Sequence, residues 1–205
     1  MTPGLVSNVT VSPNPFTLIA YDPDAIAALV EEAAALAAIP SDVPIDLTVD
    51  EELFAPLNGH MSDVIDGRIA LWISGGNFED NKRPTHFSPD QARVDLAIML
   101  LRAHDRLTDD FAAAPRDSEL SRGERAAWDT YAVGRAHKLG IDVRRPRQLY
   151  DFRLQHGFTD VADAAFERCW AADHVTWAGI REICKETGAT DRVASKVPVD
   201  LLRQK

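Results

Sequence analysis

The sequence lacks most features that assign a chain to a class of protein at once. Its two cysteines, Cys169 and Cys184, fall on apolar helix faces, so we expect buried, reduced thiols rather than a disulfide. The longest apolar run, residues 96–101, is far shorter than the roughly 20 residues that span a bilayer. No basic residue precedes a hydrophobic run at the N-terminus, so no secretory signal is expected. Together these absences predict a cytoplasmic globular protein with no membrane association.

Positive charge is missing from the first third of the chain. The first 67 residues contain eleven acids and no lysine or arginine, and because the whole chain carries −10, the remainder sums to +1. Residues 135–153 hold six cations against two acids. These cations either pair with carboxylates of the same chain, which we favour, or form a patch for phosphate groups. Nucleic-acid binding is not expected, because the overall negative charge repels a duplex.

Complete catalytic motifs are absent as well. The chain has no Gly-x-Ser-x-Gly elbow, no Gly-Lys-Ser/Thr phosphate loop and no dinucleotide fingerprint. None of the six histidines stands four residues from another, as paired metal ligands on a helix would. We therefore expect no metal and no cofactor, and a partner that is either an unknown protein or a small anionic ligand.

Helix and strand signals are distinct in the first half of the chain. Residues 1–21 are typical of an extended arm or an edge strand, and Asp22-Pro23 marks the cap and first turn of a helix. Ile45 to Val49 alternates apolar and polar residues, which predicts a half-buried strand. Asp66-Gly67 is a hairpin turn that leads into Ile69 to Ile73, a strand that is apolar on both faces and therefore central.

The second half predicts a succession of helices. Their starts are capping boxes, prolines or threonines, and three of them end at glycine. The predicted starts are Ser88, Ser121, Pro146, Thr159 and Thr176, and the glycines are Gly140, Gly157 and Gly188. The last seventeen residues are mostly polar and could be packed or disordered.

This order of elements predicts an α+β protein with a small, mainly antiparallel sheet flanked by helices and a helical C-terminal half. We expect an α/β portion at residues 1–110 and a helical portion at residues 111–205 packed on it, both within one globular unit.

Two glycines, Gly75 and Gly76, follow the apolar strand and open a polar loop that contains Glu79. Glycines at a strand end let the backbone turn sharply or let a ligand approach it closely. A structural turn is the favoured interpretation, with Glu79 solvated or capping nearby backbone.

The end of the long helix after Ser88 carries four polar residues, Arg102, His104, Asp105 and Arg106. Arginine forks suit carboxylates and phosphates, although the helix dipole by itself also favours cations at this end. Asp105 can pair with either arginine or form a salt bridge to a C-terminal helix. His104 lies on the apolar stripe, where a histidine is more often a core residue than a ligand.

Trp128, Tyr131 and Arg135 fall at i, i+3 and i+7 on one predicted helix, and Tyr150 and Phe152 follow. The favoured interpretation is an aromatic core seam between the C-terminal helices. The alternative is one wall of a groove for a peptide or a small anion.

Residues 24–110 resemble the core of the minimal zincin metallopeptidases in the order helix, strands, apolar strand at residues 68–73, variable loop and long helix. In that family the helix carries His-Glu-x-x-His, whereas the comparable turns here read Leu101-Arg-Ala-His-Asp105. The resemblance therefore implies a degenerate scaffold without zinc or an activated water. Residues 126–131 and 156–160 are similar to uncharacterised actinobacterial proteins.

The function expected from these features is that of a non-catalytic binding or interaction protein on a degenerate zincin-like scaffold. Its contact surface would combine the loop at residues 75–80 with residues 102–106. The alternative is a hydrolase with a noncanonical site built from His104, Asp105 and His137, with or without a metal.

Overall fold

The computed structural model describes residues 8–53, 59–80 and 82–189. Predictions that fall on residues 1–7 or on residues 190–205 lie outside this range. The chain divides into two compact units, the N-terminal unit at residues 1–104 and the C-terminal unit at residues 105–205. The division falls near the end of a helix, whereas the sequence placed the boundary at residue 110.

The N-terminal unit contains two sheets and two long helices. The elements in chain order are β1 (Val9–Ser12), α1 (Pro23–Leu36), β2 (Ile45–Asp50), β3 (His60–Ile65), β4 (Arg68–Ser74), β5 (Glu79–Asp80), β6 (Arg83–Phe87) and α2 (Pro89–Arg106), whose last residues enter the C-terminal unit. The larger sheet has the order β1-β2-β4-β3, and β5 pairs with β6 in a separate antiparallel ribbon.

Local sequence explains these elements well. The Asp22 carboxylate caps α1 by accepting a hydrogen bond from the backbone N–H of Asp24 at 3.0 Å. Asp66 and Gly67 have φ values of +51° and +76°, the left-handed conformations that a two-residue hairpin turn needs, and they join β3 to β4. β4 lies between β2 and β3, and side chains on both of its faces are buried, with Ile69 and Ile73 on one face and Trp72 on the other.

The C-terminal unit is helical, with α3 (Arg122–Lys138), α4 (Arg145–His156), α5 (Asp160–Ala171) and α6 (Trp177–Thr187) after two short 3₁₀ turns. The Ser121–Glu124 capping box forms in both directions at the start of α3. Thr159 and Thr176 cap α5 and α6 as the sequence predicts.

Helix α3 lies at the centre of the C-terminal unit, in contact with α4, α5 and α6. Its close approach to α5 depends on Gly134, where an added Cβ atom would lie 2.3 Å from the carbonyl oxygen of Trp170. Phe152 from α4 and Phe166 from α5 are fully buried and meet edge to face. These contacts make the inward faces of the helices one apolar core.

The predicted α+β class, with a small sheet, flanking helices and a helical C-terminal half, is confirmed. The larger sheet is mixed rather than mainly antiparallel, because β1–β2 and β2–β4 are parallel and only β3–β4 is antiparallel. Alternating apolar and polar residues cannot reveal strand direction, which depends on the connections between strands. Among the described helices, none is both long and apolar enough to cross a membrane.

Candidate functional site

Gly75 and Gly76 lie in a buried 3₁₀ turn, Gly75–Phe78, that follows β4 directly. The Tyr21 hydroxyl donates to the Gly75 carbonyl oxygen at 2.8 Å, and burial raises the pKa of this phenol. A Cβ atom added at Gly75 would lie 3.1 Å from the Asp50 carbonyl oxygen. The absence of a side chain at this position is therefore used by the fold itself, since the neighbouring backbone occupies the space.

Asn77 holds this turn together. Its side-chain oxygen accepts from the Ser74 hydroxyl at 2.7 Å and from the Gly59 N–H at 3.1 Å, and its amide donates to Asp95 at 3.2 Å. The polar loop expected after the glycines instead forms β5 and β6, and Glu79 is half-buried where it pairs with Phe87. The geometry here agrees with a structural turn rather than an open ligand loop.

The predicted site residues at the end of α2 fall in different environments. Within the N-terminal unit, Arg102 is fully buried and His104 is half-buried. Asp105 and Arg106 belong to the C-terminal unit, where both contact residues of α3.

Asp105 is the centre of a buried polar cluster in the C-terminal unit. The Trp128 indole N–H donates to its Oδ2 at 2.7 Å, and the Arg135 guanidinium donates to Oδ1 and Oδ2 at 2.8 and 2.6 Å. Only 4% of Asp105 is exposed. The sequence offered Arg102, Arg106 or a salt bridge to a C-terminal helix for Asp105, and the arginine that binds both of its oxygens lies 30 residues away on α3.

Arg106 makes a second charged contact that the sequence did not indicate. Its guanidinium lies 4.7 Å from the ring centre of Trp128, donates to the Pro115 carbonyl at 2.8 Å and approaches Asp117 at 3.5 Å. Asp117 is fully buried and also accepts from Arg125 at 3.1 Å. Asp117 lies in a short 3₁₀ turn, whereas Arg106 and Arg125 lie on α2 and α3. No sequence signal could have identified contacts between residues of three different elements.

Trp128 and Tyr131 belong to the interior of the C-terminal unit. Trp128 is fully buried and stacks on Phe111 with ring centres 4.6 Å apart. The Arg135 guanidinium lies 4.0 Å from the centre of the Tyr131 ring, and burial raises the pKa of Tyr131. The burial and ring contacts of Trp128 and Tyr131 agree with an aromatic core seam rather than with the wall of a groove.

Tyr150 does not belong to the aromatic core seam. It is 55% exposed, whereas Phe152, two residues further along α4, is fully buried. The two side chains lie about 200° apart around the helix, so a residue next to a core position need not share its burial.

His156 is a buried titratable group that the sequence analysis did not single out. Its Nε2 donates to the Gly123 carbonyl at 3.0 Å, its Nδ1 lies 2.7 Å from the Thr187 hydroxyl, and the ring stacks on Phe152 at 3.9 Å. Burial lowers its pKa to about 4, so the imidazole is neutral at physiological pH. It ties the end of α4 to the start of α3 and the end of α6.

Both cysteines are free thiols. Cys169 is buried and donates to the Ala127 carbonyl at 3.1 Å, and burial raises its pKa to about 12, which suppresses the reactive thiolate. Cys184 is only half-buried, in contrast to the burial expected for both.

An open cleft of about 600 Å³ lies between the start of α3 and helix α6. Acidic and basic side chains both line it, namely Glu124, Glu182, Arg181 and Lys185. The cations at residues 135–153, for which the sequence favoured pairing within the chain over a patch, are largely paired: Lys138 with Asp173, Arg145 with Glu167 and Arg153 with Asp163.

Within the part of the chain that the structure describes, no group of three histidine, cysteine or acidic side chains is arranged to hold a metal ion. No family model, no curated protein and no solved structure matches this chain.

Proposed function

We propose that this protein is a non-catalytic binding or interaction protein built on a degenerate zincin-like scaffold. The order of elements supports the scaffold: helix α1, strands β2 to β4, a variable connection and the long helix α2 follow each other as the resemblance requires. Helix α2 carries no two histidine, cysteine or acidic residues at i, i+4 spacing. It therefore lacks the pair of ligands with which such a helix would hold zinc.

The observation that carries the proposal is that both carboxylate oxygens of Asp105 accept hydrogen bonds inside the protein. Asp105 is the carboxylate nearest His104 in the turns comparable to the zinc motif. Its Oδ1 accepts a hydrogen bond from Arg135, and its Oδ2 accepts from both Trp128 and Arg135. A carboxylate held by a bidentate arginine inside the protein is a poor general base, because the arginine stabilises its charged form and blocks its lone pairs.

Other reactive side chains are also withdrawn from chemistry. His156 is enclosed between Gly123 and Thr187 with its pKa lowered to about 4, and the Cys169 thiol is buried with its pKa raised to about 12. Neither group faces the cleft beside α6. Both of these titratable groups thus serve packing, which supports a role in binding rather than turnover.

The cleft between α3 and α6 is a surface suited to a partner. Its lining is polar and carries both signs of charge, so it suits a small anionic ligand at Arg181 and Lys185 or a polar segment of another protein. A thermal titration with inorganic phosphate and pyrophosphate tests the anion: stabilisation is expected in the wild type and should disappear in Arg181→Glu. Arg168→Glu, on a separate surface pair with Glu186, is the matched control.

The absence of catalysis is tested with a library of fluorogenic peptides, assayed with added zinc and with a chelator. We expect no chelator-sensitive hydrolysis above the buffer rate. Sustained, chelator-sensitive turnover would refute the non-catalytic assignment.

The alternative, a hydrolase using His104, Asp105 and His137, makes a different prediction for metal analysis of the purified protein. A stoichiometric transition metal that is lost in His104→Ala but retained in His174→Ala would favour it, since His174 is 70% exposed in its side chain. Absence of bound metal in the wild type would leave the binding protein as the better account.

A further inference from the structure

Helices α4 and α5 present an apolar surface to solvent. Tyr150, Leu154, Phe158 and Val161, called here the α4–α5 face, are between 47% and 61% exposed. Tyr150 and Leu154 stand at i, i+4 on α4 and therefore share a side of the helix. Phe158, in the connecting loop, meets the Tyr150 ring edge to face at 5.9 Å, and Val161 follows in the first turn of α5.

The core of the C-terminal unit does not require this face. The opposite sides of the same two helices supply the buried residues, with Phe152 and His156 from α4 and Phe166 from α5. The Arg153–Asp163 ion pair already joins the two helices beside the exposed residues. Among the residues that the structure describes, these aromatic and aliphatic groups thus remain exposed outside the packed interior.

The exposed area of the α4–α5 face is typical of a contact surface. An aromatic side chain carries roughly 150–250 Å², so four half-exposed side chains present on the order of 400 Å². Patches of about 300–600 Å² are the largest on typical monomers and often have a function. In a standard interface each partner contributes about 800 Å². The α4–α5 face has about half of that area, which suits weak association.

Charge at the rim favours a particular occupant. Arg147 and Asp151 flank the apolar residues on α4, and their side chains are 72% and 52% exposed. The chain carries −10 overall, but the segment from Arg144 to Asp163 contains four arginines and three aspartates, so this region is not negative. In a two-fold interface the same surface of two copies meets. A surface with an apolar centre and both positive and negative side chains at its rim can therefore complement the same surface of a second copy.

We propose that the α4–α5 face binds a second copy of this chain in a weak two-fold dimer. Tyr150, Leu154 and Phe158 form the apolar centre of the interface, and Arg147 and Asp151 of each copy form its polar rim. Self-association at this face does not depend on what the α3–α6 cleft binds.

The test is sedimentation velocity on the full chain over a concentration series from about 5 µM to about 1 mM, the range in which an interface of this small size should dissociate. We expect the wild-type mass to rise from monomer toward dimer. Leu154→Glu places a charge at the centre of the face and should weaken dimerisation at least tenfold. Tyr150→Lys, at a site that is 55% exposed, is a second variant in case Leu154→Glu does not fold.

Leu139→Glu is the matched control, because Leu139 is 47% exposed in the same unit but lies outside the face. It should dimerise like the wild type. A wild type that stays monomeric throughout the series overturns the proposal, as does a dimer that survives both Leu154→Glu and Tyr150→Lys with native circular dichroism. An equal loss in Leu139→Glu would also overturn it, because the interface would then not be specific to this face.

Discussion

In the N-terminal unit several carboxylates of the acidic stretch accept hydrogen bonds from backbone N–H groups, whereas in the C-terminal unit two buried carboxylates accept from arginines. Glu51 accepts from the Thr17 and Leu18 N–H groups at 2.7 and 2.8 Å, and Asp22 and Asp50 cap nearby backbone in the same way. In the C-terminal unit, the carboxylates of Asp105 and Asp117 accept hydrogen bonds from arginine guanidinium groups.

This difference follows from composition. A segment of 67 residues with no lysine or arginine cannot pair its acids with these cations locally. Backbone N–H donors and later cations such as Arg68, which bonds to Asp46, stabilise some of them instead. Where arginine is available, its fork fixes a carboxylate with two parallel hydrogen bonds and allows burial. The two units should therefore respond differently when one polar partner is removed.

The largest effect is expected from Asp105→Ala. The substitution leaves the Arg135 charge and the Trp128 indole N–H without their buried acceptor, so we expect a loss of about 3–5 kcal/mol in the free energy of unfolding. Urea unfolding followed by tryptophan fluorescence measures it. Asp163→Ala removes an exposed pair with Arg153 and should cost below about 1 kcal/mol; equal losses in both variants would contradict a special role for burial.

His156 should make the stability of the C-terminal unit depend on pH. Its folded pKa, about 4, is below the ordinary value of 6.5, so folding favours the neutral ring. This contribution is fully present above pH 6.5 and is lost as the pH falls toward 4. The loss amounts to about 3 kcal/mol for a shift of this size.

The measurement compares urea unfolding of the wild type and His156→Gln from pH 7 to pH 3.5, so that contributions from the carboxylates cancel. The wild type should lose more stability on acidification than the variant. His174→Gln, at an exposed site, should keep the wild-type slope. Parallel curves for the wild type and His156→Gln would show that the ring is already solvated.

Asn77→Ala tests the hydrogen-bond network around Asn77 in the N-terminal unit. It removes the acceptor for the Gly59 N–H and the Ser74 hydroxyl, and we expect a loss of about 1–3 kcal/mol. The loss should be smaller than for Asp105→Ala, because Asp95, the charged group to which the Asn77 amide donates, is only half-buried. Urea unfolding gives the value, and Ser74→Ala, which removes a smaller part of the network, should cost less.

The smallest effect is expected from Glu51→Gln. Hydrogen bonds from backbone, led by the Leu18 N–H, lower the pKa of Glu51, so its contribution is present above pH 4.5 and is lost as the pH falls through the folded pKa. Because the carboxylate faces water, we expect the variant to lose less than about 1 kcal/mol. Amide hydrogen exchange at Thr17 and Leu18 should quicken in this variant and not in Glu52→Gln.

Local signals in the sequence predicted much of the secondary structure. The caps at Asp22, Ser121, Thr159 and Thr176 and the hairpin turn at Asp66-Gly67 all form, because each depends on hydrogen bonds or backbone angles within a few residues. The short ribbon β5–β6 was not predicted, since its strands are too short to show a periodic pattern.

The candidate site was predicted less completely. The sequence placed Asp105, Trp128 and Arg135 among the candidates, but it could not show that they bond to one another across 23 and 30 residues. Asp117 and His156 gave no signal, because their hydrogen-bond partners lie in other elements of the fold. Exposure of Tyr150 beside buried Phe152 was likewise decided by which side of α4 meets the other helices.

The sequence by itself determined where helices begin, where the chain turns, which strand is central and which familiar catalytic motifs are missing. These properties depend on neighbouring residues, whose contacts are fixed by the covalent chain. The tertiary structure alone decided the direction of the strands, the partners of the buried charges and the apolar face that remains exposed. Those properties depend on pairs of residues far apart in the chain, which meet only when the helices and strands pack.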